Sequence, residues 1–330
     1  MLKIGVFGVG HLGKIHVKCI QMIEKYNLIG FYDPDDKNAS KTIEEYGIKR
    51  FSNPDDLLSA VDVVDIVTPT IHHFEIAQLA IQKGKHLFIE KPVTSTIAEA
   101  EKLLDLQKQF HVKVQIGHVE RFNPAFLALN RVQLNPMFIE GHRLSTFNVR
   151  GTDISVVLDL MIHDLDIVHH LIDSEIKEIH ASGVSIVSDT SDIANARIEF
   201  KNGCVANLTA SRFSMKQMRK LRLFQSDAYI SLDFLDKNAQ IIKMHTSENA
   251  PKDKNLLELH TQKGVKMIEI DMPEIEPVNA IKMELEEFAD AIITDKNTAV
   301  TLQQGYKVLK TAMQIVDIIE SKKNAEIYEV

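Results

Sequence analysis

The alternation of strand-like and helix-like patterns is the feature that most restricts how this chain can fold. From residue 2 to about residue 117, short apolar runs are separated by amphipathic helical patterns such as residues 73–84. The runs are apolar throughout, which is typical of parallel strands that helices cover on both faces. They are LKIGVFG, LIGFYD, VVDIVTP, HLFIEKP and VKVQIG. This part predicts a doubly wound α/β domain over residues 1–121.

The second part of the chain has a different pattern. One helical segment, NPAFLALNRVQ, is followed by runs with a period near two, which predict strands with one buried face. An Asn-Gly dipeptide at 202–203 lies between two such runs and is a strong hairpin signal. Two helical patterns, 278–294 and 302–321, either cover this sheet or return to the first domain. We expect a second α/β domain over residues 122–330, with an open, mostly antiparallel sheet.

Composition excludes several classes of protein. Hydrophobic residues make up 45% and charged residues 25%, as in soluble globular proteins, and no run approaches the ~20 apolar residues of a membrane helix. The net charge of −8 offers no electrostatic footprint for nucleic acid. Cys19 and Cys204 lie far apart, which predicts neither a disulfide framework nor a zinc cluster. The N-terminus lacks the zones of a signal peptide. We therefore expect a cytoplasmic protein that binds small molecules and no metal.

A glycine-rich motif follows the first predicted strand and opens the first predicted helix. G-x-G-x-x-G permits a tight turn, close approach of a pyrophosphate, and close packing of strand and helix. The helix N-terminus then presents N–H groups to the phosphates. Asp33 follows the second strand, where its carboxylate can bind the adenosine ribose, which favours NAD; Lys37 nearby leaves NADP open. The predicted cofactor-binding residues here are Gly8, Gly10, His11, Leu12, Gly13 and Asp33.

An apolar strand ends abruptly in Glu90-Lys91-Pro92. Ligands of open parallel sheets bind at the carboxyl ends of the strands, where Thr68-Pro69 also lies. This position predicts that Lys91 lies beside the nicotinamide ring. On this pattern alone, a solvated surface lysine is an equally good interpretation.

A polar stripe interrupts the predicted apolar helix over residues 156–171. Asp159, His163 and Asp166 recur at i, i+4 and i+7, which places them on one helix face. Such a stripe is costly unless it is paired or faces a cleft. His163 could be a core histidine that Asp159 satisfies, the stripe could be an exposed surface, or it could bind a metal together with His169. The metal interpretation is the weakest, because no distinctive ligand spacing is present.

Taken in order and spacing, these motifs resemble the family of glucose-fructose oxidoreductase, inositol 2-dehydrogenase and the rhizopine catabolism protein MocA. The resemblance extends over essentially the whole chain. It is specific because E-K-P is combined with D-x-x-x-H. The motifs are GVGHLG (8–13), Asp33, TPTIHH (68–73), EKP (90–92), GHVERFNP (117–124) and LDLMIH (158–163).

The resemblance implies a Rossmann domain followed by an open-faced α/β sheet domain. It also implies homodimers or homotetramers built by packing these sheets, and NAD(P)-linked redox of sugars or cyclitols. Many members carry glycines where Ser155-Val156-Val157 stands here, so the substrate pocket is expected to differ. The amino-acid sequences of the last two motifs are most similar to those of members that act on nucleotide sugars, particularly UDP-N-acetylglucosamine 3-dehydrogenases.

Carried over by position, Lys91, Asp159 and His163 match the catalytic residues of the family. An unperturbed imidazole has a pKa of ~6.5, so His163 is the better base, while Lys91 would stabilise charge on the reacting oxygen; the two roles could be exchanged. Asp159 could orient the imidazole. We expect Lys91 and His163 to converge beside one nicotinamide ring.

Other residues are predicted to contact the ligands. Thr68, Pro69, His72 and Glu90 are expected along the cofactor, although His72 could equally be an ordinary residue at a helix start. Arg121 and Arg150 could bind a diphosphate or a carboxylate, because the guanidinium fork suits both groups. A structural ion pair is at least as good an interpretation for each arginine.

Two rival functions remain at this stage. Some relatives bind NAD(P) and partner proteins without turnover, but a sensor of this kind has no need of Lys91, Asp159 and His163 together. A reductase of an imine, a tetrapyrrole or a dihydrodiol would use the same cofactor domain. The sugar-like motifs disfavour it.

Overall fold

A computed structural model describes residues 1–147, 154–252, 254–262 and 264–327, with side chains described as far as residue 322. The chain forms two compact units. The first contains Met1–Phe122 and Asn279–Lys310, and the second contains Asn123–Val278 and Thr311–Val330. No helix in the described part of the chain is both long enough and apolar enough to cross a lipid bilayer.

The first unit is built on a parallel sheet with strand order β2-β1-β3-β4-β5. Its strands are β1 (Leu2–Phe7), β2 (Tyr26–Tyr32), β3 (Val63–Ile66), β4 (His86–Glu90) and β5 (Val114–Gly117). The central strand β3 and the edge strand β5 are buried at every residue, as expected for strands covered on both faces. Because all the strands run in the same direction, their carboxyl ends lie on one edge of the sheet. This edge is where the sequence predicted the cofactor.

Helices pack on both faces of this sheet. They are α1 (His11–Gln21), α2 (Asp36–Tyr46), α3 (Pro54–Ala60), α4 (His73–Gln82), α5 (Ile97–Phe110) and α8 (Ala280–Ile293). One core cluster joins Ile4 and Val6 of β1 to α1 and to Phe288 of α8. Gly5, which points to the opposite face, lies against Leu57 of α3. The last helix, α9 (Leu302–Ile327), begins in the first unit and ends in the second.

Local sequence signals explain where several helices begin and end. The Asp35 side chain accepts hydrogen bonds from two N–H groups at the start of α2, and Gly47 ends that helix with φ at +65°, which glycine adopts easily. At the start of α5, Thr96 and Glu99 form a reciprocal capping box. Such caps satisfy N–H groups that the helix itself leaves unpaired.

The second unit is built on a mostly antiparallel sheet of order β13-β14-β12-β11-β10-β6-β9-β8-β7, in which β6 and β9 pair in parallel. The strands are β6 (Phe138–Leu144), β7 (Ile176–Val184), β8 (Ile193–Phe200), β9 (Val205–Ser211), β10 (Met218–Phe224), β11 (Ala228–Asp233), β12 (Asn238–Thr246), β13 (Leu257–Thr261) and β14 (Gly264–Asp271). Burial alternates along β6, β8 and β9, so one face of these strands is buried and the other is partly exposed.

The predicted fold class is confirmed in both halves. The Asn-Gly hairpin joins the antiparallel strands β8 and β9, and Gly203 has φ at +89°. The helix predicted over NPAFLALNRVQ is much shorter: α6 spans Pro124–Leu127, and the chain continues with i to i−3 hydrogen bonds as far as Val132. A π-helical turn, Val157–Met161, leads into α7 (Ile162–Leu171).

Candidate active site

The glycine turn of the first unit has the geometry that its sequence predicts. Gly8 has φ at +88°, and a Cβ there would lie 2.9 Å from the backbone of residues 67 and 68. A Cβ on Gly13 would lie 2.0 Å from the Gly8 carbonyl oxygen, so strand and helix touch through this glycine. At Gly10, the N-cap of α1, a Cβ would meet no protein atom within 4 Å. The open side of the turn therefore lies at Gly10, directly before His11 and Leu12.

Asp33 is held beside this turn by backbone hydrogen bonds. Its Oδ2 accepts from Val9 N–H and its Oδ1 from Asp35 N–H, both at 2.8 Å. An ionised carboxylate has about four acceptor sites, so these bonds leave capacity for ligand hydroxyls. Arg50, which the sequence did not single out, donates to the Asp33 carbonyl oxygen at 2.8 Å and to Asp36 Oδ1 at 2.7 Å.

A largely apolar cleft lies next to Asp33, with a volume of about 280 Å³. A mostly apolar lining of this kind suits an aromatic base. Thr68 and His72 are part of the lining, so the structure places these two predicted residues at this cleft. The remaining lining residues are Phe7, Tyr32, Pro34, Pro54, Leu58, Glu75, Ile76 and Leu79.

His73, a neighbour that the sequence prediction passed over, connects two strand ends. Its Nε2 lies 2.9 Å from the Thr68 carbonyl oxygen, and its Nδ1 lies 2.9 Å from the Pro92 carbonyl oxygen. Burial lowers the pKa of His73, and the two carbonyl contacts oppose that shift. His72 is exposed, whereas His73 is buried. His73 is the last residue of the TPTIHH motif, so the signal was present in the sequence.

Lys91 follows β4 at the predicted edge of the sheet and is half-buried. Glu90 before it is buried, and its Oε2 accepts a hydrogen bond from Lys91 N–H at 3.1 Å. The other carboxylate oxygen, Oε1, lies 3.3 Å from His16 Nε2. The carboxylate of Glu90 is thus directed into the interior of the first unit, where it contacts both His16 and the backbone N–H of Lys91.

In the second unit, Asp159 lies in the π-helical turn and His163 in the first turn of α7, and both side chains are partly exposed. Asp166 is fully buried and so differs from the other two members of the predicted stripe. A π-turn contains one extra residue, which changes the angular register between residues before and after it. The π-turn therefore changes the angle between Asp159 and the two later members of the stripe, His163 and Asp166, which both lie in α7.

A buried ion pair attaches α7 to the sheet. Arg143 of β6 and Asp164 of α7 are both almost fully buried, and the guanidinium donates to the carboxylate at 2.8 to 3.2 Å. The Arg143 guanidinium also lies 5.9 Å from the centre of the Phe234 ring. Because Asp164 directly follows His163, this pair anchors the turn that carries the histidine.

The two predicted arginines differ in what the structure describes. Arg121 belongs to a 3₁₀ turn, Val119–Phe122, in the first unit and is 7% exposed. Arg150 lies outside the described residues. Among the described residues, no three His, Cys, Asp or Glu side chains are grouped as metal ligands.

Comparison with known proteins identifies the family. Residues 2–118 match the model of the oxidoreductase family with an NAD-binding Rossmann fold, and residues 135–231 match the GFO/IDH/MocA C-terminal domain. The chain belongs to the Gfo/Idh/MocA oxidoreductase family. The resemblance inferred from the motifs is therefore confirmed, and with it the assignment as an oxidoreductase with an NAD-binding Rossmann domain.

Named relatives and solved structures match the whole chain or a part of it. The chain is 34% identical to UDP-N-acetylglucosamine 3-dehydrogenase of Acidithiobacillus ferrooxidans over 97% of this chain and 98% of that protein. A solved structure of that enzyme matches with a TM-score of 0.87 over the same shares of both chains. A scyllo-inositol 2-dehydrogenase (NAD(+)) of Bacillus subtilis is 29% identical over 64% of this chain and 68% of its own length. The apo scyllo-inositol dehydrogenase of Lactobacillus casei, at 21% identity and a TM-score of 0.78, covers 98% of this chain and 97% of its own and shares the fold.

The residues of the first unit fit the dinucleotide that the Gfo/Idh/MocA family binds. The open turn at Gly10 and the uncapped start of α1 suit phosphates. The Asp33 carboxylate suits a ribose, and the apolar cleft suits a base. Sequence reasoning missed three polar residues around this site, His16, Arg50 and His73. For His16 and Arg50 the partners lie on other strands and loops, so no local pattern pointed to them, whereas His73 lies within the TPTIHH motif.

Proposed function

We propose that this chain is an NAD-dependent dehydrogenase of nucleotide sugars that oxidises the C3 hydroxyl of a UDP-N-acetylhexosamine. The observation that carries the proposal is the similarity to the Acidithiobacillus enzyme, which extends over 97% of the chain at 34% identity. Retention of Lys91, Asp159 and His163 supports turnover rather than cofactor sensing alone.

NAD is the proposed cofactor in preference to NADP. Asp33 is fixed where the adenosine ribose is expected, and Asp36 lies nearby, bonded to Arg50. A 2′-phosphate would bring a second negative charge next to these carboxylates, which costs free energy unless a cation compensates. Gly8, Gly10, His11, Leu12 and Gly13 would hold the pyrophosphate through backbone N–H groups.

The proposed reaction removes a hydride and a proton from one secondary alcohol. When bound, NAD would accept the hydride that leaves C3 of the sugar with the electron pair of the C–H bond. His163 would take the proton of the hydroxyl, so that the alcohol becomes a ketone. Lys91 donates a hydrogen bond to the reacting oxygen and stabilises the charge that develops there. Asp159 orients the imidazole of His163.

Substrate recognition is proposed to involve arginine. Arg150 stays a candidate for the diphosphate, because a guanidinium binds phosphate oxygens in a fork geometry. The 7% exposure of Arg121 favours a packing role for that residue over contact with a ligand.

Assembly through the second unit's sheet is also proposed. On the partly exposed face, the Phe224 ring lies 5.9 Å from Phe138 and 5.1 Å from Tyr229 between ring centres. A cluster of aromatic side chains on a sheet face suits a protein interface. A homodimer or homotetramer is expected. Phe224→Glu should lower the mass measured by light scattering, while Met215→Glu, at an exposed loop position, should not.

The test is NADH formation, followed by absorbance, with UDP-N-acetylglucosamine, UDP-N-acetylgalactosamine, free sugars and inositols. We expect turnover with a UDP-N-acetylhexosamine. Lys91→Met should lower kcat at least ~100-fold while the Kd of NAD changes less than ~3-fold. Lys108→Met, which changes an exposed lysine of α5, is the matched control and should leave both values unchanged.

Two results would count against the proposal. NAD binding without NADH formation from any alcohol would favour a sensor. Undiminished kcat in Lys91→Met on the true substrate would refute the role given to the lysine.

A further inference from the structure

Three titratable side chains meet inside the first unit, next to the carboxyl-end edge of its sheet. His16 comes from α1, Asp65 from β3 and Glu90 from the end of β4. His16 and Asp65 are 0% exposed and Glu90 is 7% exposed. His16 Nδ1 lies 3.0 Å from Asp65 Oδ2, and His16 Nε2 lies 3.3 Å from Glu90 Oε1.

Two carboxylates flank the His16 ring, and this arrangement favours the charged imidazole, which carries an N–H group on each nitrogen. Nδ1 is hydrogen-bonded to Asp65, whereas Nε2 lies at ion-pair distance from Glu90 Oε1 without forming a hydrogen bond. Burial lowers the pKa of His16, but the Asp65 and Glu90 carboxylates outweigh it, so the pKa lies well above its usual value. Burial raises the pKa of Asp65. Burial would also raise the pKa of Glu90, but His16 and Lys91 reverse that effect and lower it.

The Glu90 carboxylate is confined on its remaining sides as well. Oε2 accepts from Lys91 N–H at 3.1 Å. A Cβ on Gly117 would lie 2.6 Å from Oε1, so only glycine leaves room for the carboxylate at this position. The edge of the Phe88 ring packs against His16 at 5.7 Å between ring centres. The backbone at Gly117 and the Lys91 N–H therefore both lie against this carboxylate.

We propose that His16 is a positioning residue: by holding the Glu90 carboxylate against Lys91 N–H, it fixes the backbone from which the Lys91 amine reaches the substrate. These contacts link α1, which begins at the glycine turn, through His16 and Glu90 to Lys91, which is proposed to stabilise the reacting oxygen. Small displacements of a reacting group are costly, since about 1 Å can lower turnover ~100-fold. A buried ion cluster that only stabilises the fold is the competing interpretation.

Two variants of His16 separate these interpretations. The amide nitrogen of Asn takes approximately the place of Nδ1, and that of Gln approximately the place of Nε2. His16→Asn therefore keeps a donor for Asp65 and loses the one for Glu90, whereas His16→Gln keeps the donor for Glu90. Both variants remove the same positive charge, and thermal unfolding establishes that each is folded at the assay temperature.

The first readout is steady-state kinetics, and for it the inference rests on the proposed function. We expect His16→Asn to lower kcat roughly tenfold or more below His16→Gln, with KM for NAD within ~3-fold in both. Equal kcat in the two variants, whether reduced or unchanged, would overturn the proposal, because the contact to Glu90 would then have no specific effect.

The second readout does not depend on the substrate. Hydrogen exchange of the peptide that contains Lys91 should be roughly tenfold faster in His16→Asn than in His16→Gln, because the Lys91 N–H loses its acceptor when Glu90 is released. Identical exchange in both variants overturns the positioning role. If the wild-type chain oxidises no sugar, the proposed function fails, and this comparison still decides whether His16 holds Glu90.

Discussion

Two glycines of the same turn should respond in opposite ways to the addition of one methyl group. At Gly10 the backbone is extended, with φ at −64° and ψ at −157°, and a Cβ would meet no protein atom within 4 Å. At Gly13 a Cβ would lie 2.0 Å from the Gly8 carbonyl oxygen, far inside the 3.4 Å at which ordinary contact begins. Gly10→Ala therefore tests where the pyrophosphate of the cofactor binds, and Gly13→Ala tests the close packing of α1 against the Gly8 carbonyl.

The magnitudes follow from these contacts. In Gly10→Ala, a gain of ~0.4–1 kcal/mol from the less flexible unfolded chain is offset by the poorer N-cap, so stability should change by less than about 1 kcal/mol. The methyl group would displace the pyrophosphate from the backbone, and losing one charged hydrogen bond of ~1.5–3 kcal/mol weakens binding about 10- to 100-fold. In Gly13→Ala, overpacking against backbone should exceed the helix-propensity gain and cost about 2 kcal/mol.

Thermal unfolding with and without NAD measures both effects. At a concentration 100 times the wild-type Kd, NAD should stabilise the wild type by about 2.7 kcal/mol, whereas a 100-fold weaker binder gains only ~0.4 kcal/mol. Isothermal titration calorimetry gives Kd directly. Wild-type affinity for NAD in folded Gly10→Ala would refute the placement of the pyrophosphate. A wild-type melting temperature in Gly13→Ala would refute the close approach to Gly8.

Three further predictions concern buried charges and cofactor choice. The pKa of His16 is raised in the folded state, so the stability that its charge contributes is complete below the unfolded pKa of ~6.5 and is lost as pH rises toward the folded pKa. The difference in unfolding free energy between wild type and His16→Gln, measured by urea unfolding, should therefore fall by about 1.4 kcal/mol per pH unit from pH ~7 upward. A difference that stays constant with pH would contradict this prediction. Arg143→Met should cost ~3–5 kcal/mol because it removes the guanidinium from the buried Asp164 carboxylate, and adding Asp164→Leu should recover most of the loss; a double variant as unstable as the single one would contradict the pairing. Asp33→Asn should raise kcat/KM for NADP relative to NAD by roughly tenfold, since it removes a repulsion of about 1.4 kcal/mol between the Asp33 carboxylate and the 2′-phosphate. An unchanged ratio would show that Asp33 does not select the cofactor.

The fold was predictable because its signals are local. Apolar runs of β3 and β5, the Asn-Gly turn before β9 and the periodicity of α8 and α9 each lie within a few residues. Their physical basis is the two-residue period of a strand and the 3.6-residue period of a helix. The helix over NPAFLALNRVQ was predicted too long, because periodicity does not report that the chain tightens into turns after Leu127.

The site was predictable only in part. Gly8, Gly13 and Asp33 could be recognised because a turn and a strand end impose their spacing. His16 could not be recognised, because its partners are 49 and 74 positions away along the chain and become neighbours only when α1, β3 and β4 pack. The π-turn at Asp159 was equally hidden, since its extra residue leaves the apolar pattern of the helix almost unchanged.

The sequence by itself determined the two kinds of sheet, the order of their elements, the glycine turn and the family, because these depend on short-range periodicity, turn chemistry and motif spacing. Only the tertiary structure decided that α8 packs in the first unit, with Phe288 in the same core as Ile4. It also decided that the carboxylate of Glu90 is directed inward to His16, and that Asp166 is buried while His163 is partly exposed. These features depend on which side chains of distant segments share a limited interior, and no local pattern encodes that competition.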